Sequence, residues 1–163
     1  MAELTLARLQ EILEYDPETG VFRWKINMPP RGLVGAIAGT VAASGHRVIG
    51  INGERYLAHR LAWFYVNGKW PQRGLDHEDG QPDHNWIDNL REATQAQNCA
   101  NSAPHFDSIA GLKGVSPKRK KWEARIMVRG RVFYLGVFDT PEEAHAVYSA
   151  AATSHNGEFA RCR

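Results

Sequence analysis

Apolar residues repeat at helical spacing over residues 5–14. Leu6, Leu9, Ile12 and Leu13 share one face there, and Thr5 stands where an N-cap would. The stretch predicts a short helix. "YDPETG" after it is rich in turn formers, and "VFRWK" reads as a short strand. "HRVIGINGERYLA" predicts a hairpin around Asn52-Gly53, a dipeptide that accepts positive φ at both central positions of a two-residue turn. "HRLAWFYVNG" returns to helical length with an apolar face, and Gly68 is placed to end it. Residues 1–68 therefore read as a small α+β platform in which no chemistry stands out.

The pattern then changes. "LDHEDGQPDHNWIDNLREATQAQN", residues 75–98, is crowded with Asp, Asn and His and has few apolar positions. "GLDH" predicts a short strand and "WIDNLRE" a second. Thr94 caps a helix after them, with Gln97 completing a capping box. The local order is strand, long loop, strand, helix. "SAPHFDSIAG", residues 102–111, reads as a linker. "LKGVS", "KWEARIMV" and "VFYLGVF" predict three strands, the last two joined at Arg129-Gly130-Arg131. "TPEEAHAVYSAAATSHNG" is a helix with Thr140 as cap, Pro141 at its first position, Glu143 closing the box and Gly157 ending it. Its expected packing stripe is Ala144, Val147, Tyr148 and Ala151. The expected division is residues 1–104, with a core of special chemistry at about 70–101, and residues 105–163.

Composition narrows the class. Of the 163 residues, 43% are hydrophobic, enough for a packed core. No apolar run approaches a membrane span, and the N-terminus lacks the basic head and apolar body of a signal peptide. The expectation is a cytoplasmic protein with no membrane partner. Cys99 and Cys162 are too few for a disulfide framework, and no C-x-x-C pair suggests a zinc ribbon. The net charge of +2 is unevenly spread: residues 113–131 hold eight Lys/Arg against one Asp/Glu. A basic segment beside an acidic-to-neutral one suggests two tasks on one polyanion.

Asp76 and His77 carry the candidate chemistry. Neighbours on a strand point to opposite sides, so both reach one spot only where the strand end bends. Asp76 offers a carboxylate oxygen and Asn98 an amide oxygen to a hard cation, while a neutral His77 can take a proton from an attacking water. That set suits phosphodiester hydrolysis. Asp79-Gly80 reads as a turn, and His84 as a capping or solvated residue. His59 and Arg60 read as packing or hydrogen-bonding residues, with Arg60 also able to hold a phosphate.

"DHEDGQPDHNWIDNLREATQAQNCAN" resembles the His-Asn-His (HNH) nuclease motif, a ββα-metal fold. It is especially similar to phage-type homing and nicking endonucleases in its D-H pair, N-L-R and T-x-x-x-N, and "YLAHRLAWFYVNGKWP" upstream resembles the same group. The likeness spans about residues 46–101. It implies His77 as general base, Asp76 and Asn98 as ligands of one divalent metal, and Asn89 as the residue that bridges the loop. Asn98 stands where the third letter of the motif is His, which favours Mg²⁺ or Mn²⁺ over softer ions.

Along "WEARIMVR", Trp122, Ala124, Ile126 and Val128 fall on one face, and Glu123, Arg125, Met127 and Arg129 on the other. A sheet with an arginine face fits the DNA major groove. Residues 111–160 resemble the DNA-binding domain of plant ethylene-response factors (the APETALA-two type), through K-G-V, W-x-A, Y-L-G-x-F-D-T and E-E-A…Y…A-A…G-E-F-A. That likeness implies DNA contacts from Lys113, Lys118, Lys121, Arg125 and Tyr134, and the basic face adds Arg129 and Arg131. Ser116, Met127 and Val132 replace positions often basic in that family, so no base specificity carries over.

The sequence therefore predicts an α+β chain. It has a ββα-metal HNH core on a small N-terminal α+β platform, followed by a three-stranded antiparallel sheet plus helix. The expected activity is divalent-metal-dependent hydrolysis of double-stranded DNA in a phage-infected or prophage-carrying bacterium, with no small-molecule cofactor. The alternative is a sequence-specific DNA-binding regulator whose nuclease site is inactive. An RNA-directed nuclease is a weaker third reading, since no aromatic stacking platform is evident. Target sequence, one-strand or two-strand cleavage, and monomer or dimer stay open.

Overall fold

The structure, a computed structural model, describes residues 4–28, 32–103, 108–128 and 130–160. Its contacts divide into two compact units, Met1–Ala93 and Thr94–Arg163. The expected boundary at 104/105 falls on residues outside the described ones. Among the described residues no helix is long and apolar enough to cross a membrane.

The first unit opens with α1 (Leu6–Ile12), whose N-cap Thr5 accepts the Arg8 N–H. The helix ends sooner than its apolar pattern suggests. Leu13 turns extended and starts β1 (Leu13–Tyr15), antiparallel to β2 (Phe22–Trp24). Leu13 is fully buried in that conformation, so the helical pattern and the strand satisfy the same core. A three-stranded sheet follows in the order β3 (Thr40–Val41), β4 (Arg47–Ile51), β5 (Glu54–Leu57). The expected hairpin turn is present, with Asn52 at φ 51 and Gly53 at φ 86. The sequence gives no sign of β3, because two residues are too few to show alternation.

Helix α2 (Ala58–Asn67) ends on Gly68 in the left-handed region, as its sequence implied. Strand β6 (Gly74–His77) pairs antiparallel with β7 (Leu90–Ala93), and the register sets Asp76 opposite Arg91 and His77 opposite Leu90. The second strand is shorter than expected. Ile87–Asn89 forms a 3-10 turn instead, because the Asn89 side chain is used to close the loop ahead of it. Leu9, Ile12, Phe22, Ile49, Ile51, Leu61 and Leu90 lie in one core, so the platform and the β6–β7 hairpin are not separate bodies.

In the second unit, α3 (Gln95–Asn101) has its capping box in place: the Thr94 hydroxyl accepts the Gln97 N–H, and the Gln97 side chain accepts the Thr94 N–H. A box of this kind is worth about 1 kcal/mol. Three strands, β8 (Val115–Lys118), β9 (Lys121–Val128) and β10 (Arg131–Phe138), form an antiparallel sheet in the order β10-β9-β8. Ala124 and Ile126 are buried and Trp122 and Val128 half-buried, towards α4 (Pro141–Asn156). Helix α4 carries the predicted cap, proline and box. Its buried stripe is Ala144, Tyr148 and Ala152, whereas Val147 is exposed. The sheet takes an i, i+4 ridge of the helix, and the expected i, i+3 mixture gives way to it.

Candidate active site

Asp76 and His77 are the last two residues of β6, and both are buried. Asp76 is buried and meets Arg91 across the hairpin, where Nε donates to Oδ2 at 3.0 Å and Nη2 lies 3.0 Å from the same oxygen. The guanidinium compensates a carboxylate that would be unfavourable alone in the core. Removing one partner of such a buried pair costs roughly 3–5 kcal/mol.

His77 ends β6. Its Nε2 lies 3.1 Å from Oδ1 of Asn85, which is 1% exposed. The Asn85 amide orientation is set by Nδ2 donating to the Asp83 carbonyl at 2.9 Å. Oδ1 therefore faces His77, and because a carbonyl oxygen only accepts, Nε2 carries the hydrogen and Nδ1 the lone pair. Burial first, with His46 nearby, holds the His77 imidazole below its ordinary pKa, against the opposing pull of Asn85, Asp79 and Asp76. The ring is neutral at pH 7, which a proton acceptor requires.

Asn85 is in turn fixed by the platform. Its carbonyl accepts the Tyr15 hydroxyl at 2.8 Å, and burial pushes that phenol pKa up, keeping it a donor. Gly20 sits at φ +73 against the same backbone, where a Cβ would come 2.2 Å from the Trp86 nitrogen. Arg47 of β4 grips Asp83 with both prongs, Nε to Oδ1 at 2.9 Å and Nη2 to Oδ2 at 2.8 Å. The reading of residues 1–68 as lacking chemistry is thus corrected: Tyr15, Gly20 and Arg47 hold the loop that orients His77. None of these shows in a local pattern, because each acts on a segment distant in sequence.

The platform also brings two imidazoles to His77. His46 precedes β4, and His59 is in the first turn of α2. Ring centroids lie 5.1 Å apart for His59 and His77, 5.2 Å for His46 and His59, and 5.8 Å for His46 and His77. His59 is buried beside two other imidazoles, in keeping with its reading as a packing residue. Burial, with the neighbouring His77, His46 and Arg60, lowers its pKa to about 3. Its Nδ1 is buried with no hydrogen-bond partner among the described residues.

Asn89 closes the loop. Its Oδ1 accepts the Asp79 N–H at 3.0 Å, its Nδ2 donates to the His84 carbonyl at 2.8 Å, and its own carbonyl accepts the Glu78 N–H at 2.9 Å. Asp79 serves the turn, accepting the Gln81 N–H at 2.8 Å and meeting His84 Nδ1 at 2.6 Å. Burial pushes the Asp79 carboxyl up, but the Gln81, His84 and Asn89 bonds together hold it below its usual range. Asn98 lies on α3, in the second unit, with its N–H on the Thr94 carbonyl.

The second unit disposes the basic residues unevenly. Lys113 Nζ donates to the carbonyls of Cys99, Ala100 and Ser102 at 2.8, 2.6 and 2.7 Å, so it closes the C-terminal end of α3. Lys118 and Arg125 both pair with Glu123, which is buried between them, and Lys118 holds its carboxyl pKa down. Lys118 Nζ also stands 5.1 Å from the Tyr134 ring centre. Lys121 pairs with Asp139 at 2.9 Å. Arg131 and Tyr134 are exposed on β10, and Arg129 lies outside the described residues.

A buried neutral imidazole with a fixed tautomer, next to a guanidinium-paired carboxylate on a β6–β7 hairpin, is equipment for hydrolysis, and the sequence around it has known relatives. Residues 56–100 match the family HNH endonuclease. The chain belongs to that family, which at this level makes it a nuclease and so a hydrolase. Protein 3.8 of Escherichia phage T7 is 32% identical to it over 108 residues, covering 64% of this chain and 88% of that protein.

Replacing Asn85 by alanine is expected to lower kcat roughly 10–100-fold, the range for removing an outer partner that orients a functional imidazole. DNA affinity should change little. Asn85→Asp, which keeps an acceptor for Nε2–H, should lose less. Steady-state cleavage by folded variants checks this, and an unchanged kcat in Asn85→Ala would remove the tautomer from the argument.

Proposed function

We propose that the chain is a divalent-metal-dependent endonuclease acting on double-stranded DNA, with His77 as its general base. The observation that carries this reading is the Asn85 hydrogen bond that leaves the lone pair of a buried, neutral His77 on Nδ1. In the reaction Nδ1 takes a proton from water as its oxygen bonds to phosphorus and the opposite P–O bond breaks. Asn85 holds the ring, and Tyr15 and Arg47 hold the loop that carries Asn85.

The donors suit the family's requirement for a divalent metal. Asp76 is a buried carboxylate and Asn98 supplies an amide oxygen, both hard donors of the kind that hold Mg²⁺ or Mn²⁺. A bound cation would neutralise charge developing on the phosphate and leaving oxygens. Arg91 positions the Asp76 carboxylate from one side. Asn89 maintains the loop between the two strands.

The second unit is proposed as the DNA-holding part, and its likeness to the ethylene-response type belongs to that proposal. Its support is the exposed Arg131 and Tyr134 beside Lys118 and Arg125. Glu123 already balances part of that charge, and Lys113 and Lys121 have partners within the unit. The phosphate attraction is therefore smaller than the bare charge count of residues 113–131 implies. A phage homing or nicking role is the corresponding biological proposal.

Supercoiled plasmid incubated with Mg²⁺ or with chelator tests the reading, with nicked and linear products scored separately. Cleavage should appear only with the ion. Asp76→Asn, which preserves side-chain volume beside Arg91, and Asn98→Ala should each raise the Mg²⁺ requirement or abolish cutting. Wild-type metal titrations in both would sink the ligand assignment, and a wild-type protein that cuts nothing would favour the DNA-binding regulator.

A further inference from the structure

We propose that His46, His59 and His77 form a second cation site that takes Zn²⁺, and that its occupation withdraws His77 from hydrolysis. The regulatory half rests on the nuclease reading above; the binding half does not.

Three separate elements converge on this point: the turn before β4, the first turn of α2 and the end of β6. One ligand atom from each histidine lies within 4.8 Å of the others. Tetrahedral zinc with nitrogen ligands at about 2.0–2.1 Å needs ligand atoms about 3.3 Å apart. The widest pair must therefore close by at most about 1.5 Å.

The hydrogen bonds around the trio resemble the surroundings of metal-bound imidazoles, in which one ring nitrogen is held by an outer partner and the other is turned to the ion. His77 Nε2–H is held by Asn85 Oδ1, which puts its lone pair on Nδ1. His46 Nδ1 lies 3.3 Å from the Ser44 hydroxyl, and donation to it puts the His46 lone pair on Nε2. His59 buries Nδ1 with no hydrogen-bond partner among the described residues, an arrangement that a folded core ordinarily avoids.

Ligand chemistry selects the ion. Three imidazoles with a fourth position left to solvent are a donor set for zinc, whereas Mg²⁺ prefers the oxygen donors Asp76 and Asn98. The two sites therefore sort the two ions, and at His77 zinc competes with the proton of the attacking water. Zinc on Nδ1 occupies the lone pair that would accept the proton from water, so the bound form cannot use this residue as a base.

The test uses the full chain stripped of metal, with zinc affinity measured by competition against a chromophoric chelator. Wild type should bind one zinc, and His46→Ala and His59→Gln should each weaken it about tenfold or more. Asp76→Asn should leave it within a few-fold. Circular dichroism confirms that each variant is folded, and His46→Gln replaces His46→Ala if that variant is not. Equal zinc affinity in wild type and the folded histidine variants overturns the site. Zinc should also stop Mg²⁺-supported plasmid cleavage by wild type at concentrations that leave His46→Ala active. Undiminished cleavage by the zinc-loaded wild type overturns the regulation. If no ion supports cleavage, the nuclease reading fails, while the chelator competition still decides the site.

Discussion

Replacing His77 by alanine should lower cleavage roughly 100- to 10,000-fold, the usual contribution of a positioned general base. DNA binding should be nearly intact. The neutral imidazole carries no charge to attract phosphate, and Asp76 and Arg91 keep their own pairing. The substitution should not unfold the hairpin, because its register rests on backbone bonds from Gly74 to His77 and on the shared core at Leu90. A cavity beside His46 and His59 should cost a few kcal/mol at most. The decisive measurement is single-turnover cleavage at saturating protein, alongside binding of the same DNA. Wild-type turnover in the variant would show that another group takes the proton.

Replacing Gly114 by alanine should unfold the second unit. Gly114 has φ +73, and a Cβ there would lie 2.0 Å from Cδ2 and 2.3 Å from Cε2 of the Tyr148 ring. Tyr148 is central to the buried stripe of α4 and packs with Ile126 and Ala152. Alanine would therefore impose left-handed strain and also expel an aromatic ring from the core. Together these should cost about 3–5 kcal/mol. A sheet-and-helix unit of this size has roughly that much stability in total. Gly130 supplies the control, since it has φ +76 but a Cβ there would meet no atom within 4 Å. Alanine there should cost only about 1–2 kcal/mol, the left-handed strain alone. Amide exchange reads both units: protection in β8–β10 should vanish in Gly114→Ala and persist in Gly130→Ala. Equal effects of the two substitutions would mean that the Tyr148 contact does not matter.

The local features of the chain were legible in its sequence. Thr94 with Gln97, and Thr140 with Pro141 and Glu143, are caps whose bonds close within one helical turn. Asn52-Gly53 and Gly68 meet backbone torsions that few other residues accept. Such signals need nothing beyond neighbouring residues, so they survive without knowledge of the fold. The order of Asp76, His77, Asn89 and Thr94 is local in the same sense, since one hairpin and its loop contain most of it.

Tertiary structure alone decided the surroundings of those residues. His46 and His59 join His77 because the shared core sets β4, α2 and β6 side by side, and no periodicity along the chain encodes that meeting. Asn85 selects the His77 tautomer only when Asp83 is gripped by Arg47 and Tyr15 reaches the Asn85 carbonyl. Lys113 is a DNA contact by the ethylene-response likeness, yet its ammonium closes α3, and Glu123 sits buried between two cations expected to be open to DNA. The physical reason is the same throughout. Capping and turn formation depend on torsions and hydrogen bonds spanning a few residues, whereas burial, tautomer and ion pairing depend on which distant side chains the packed core delivers.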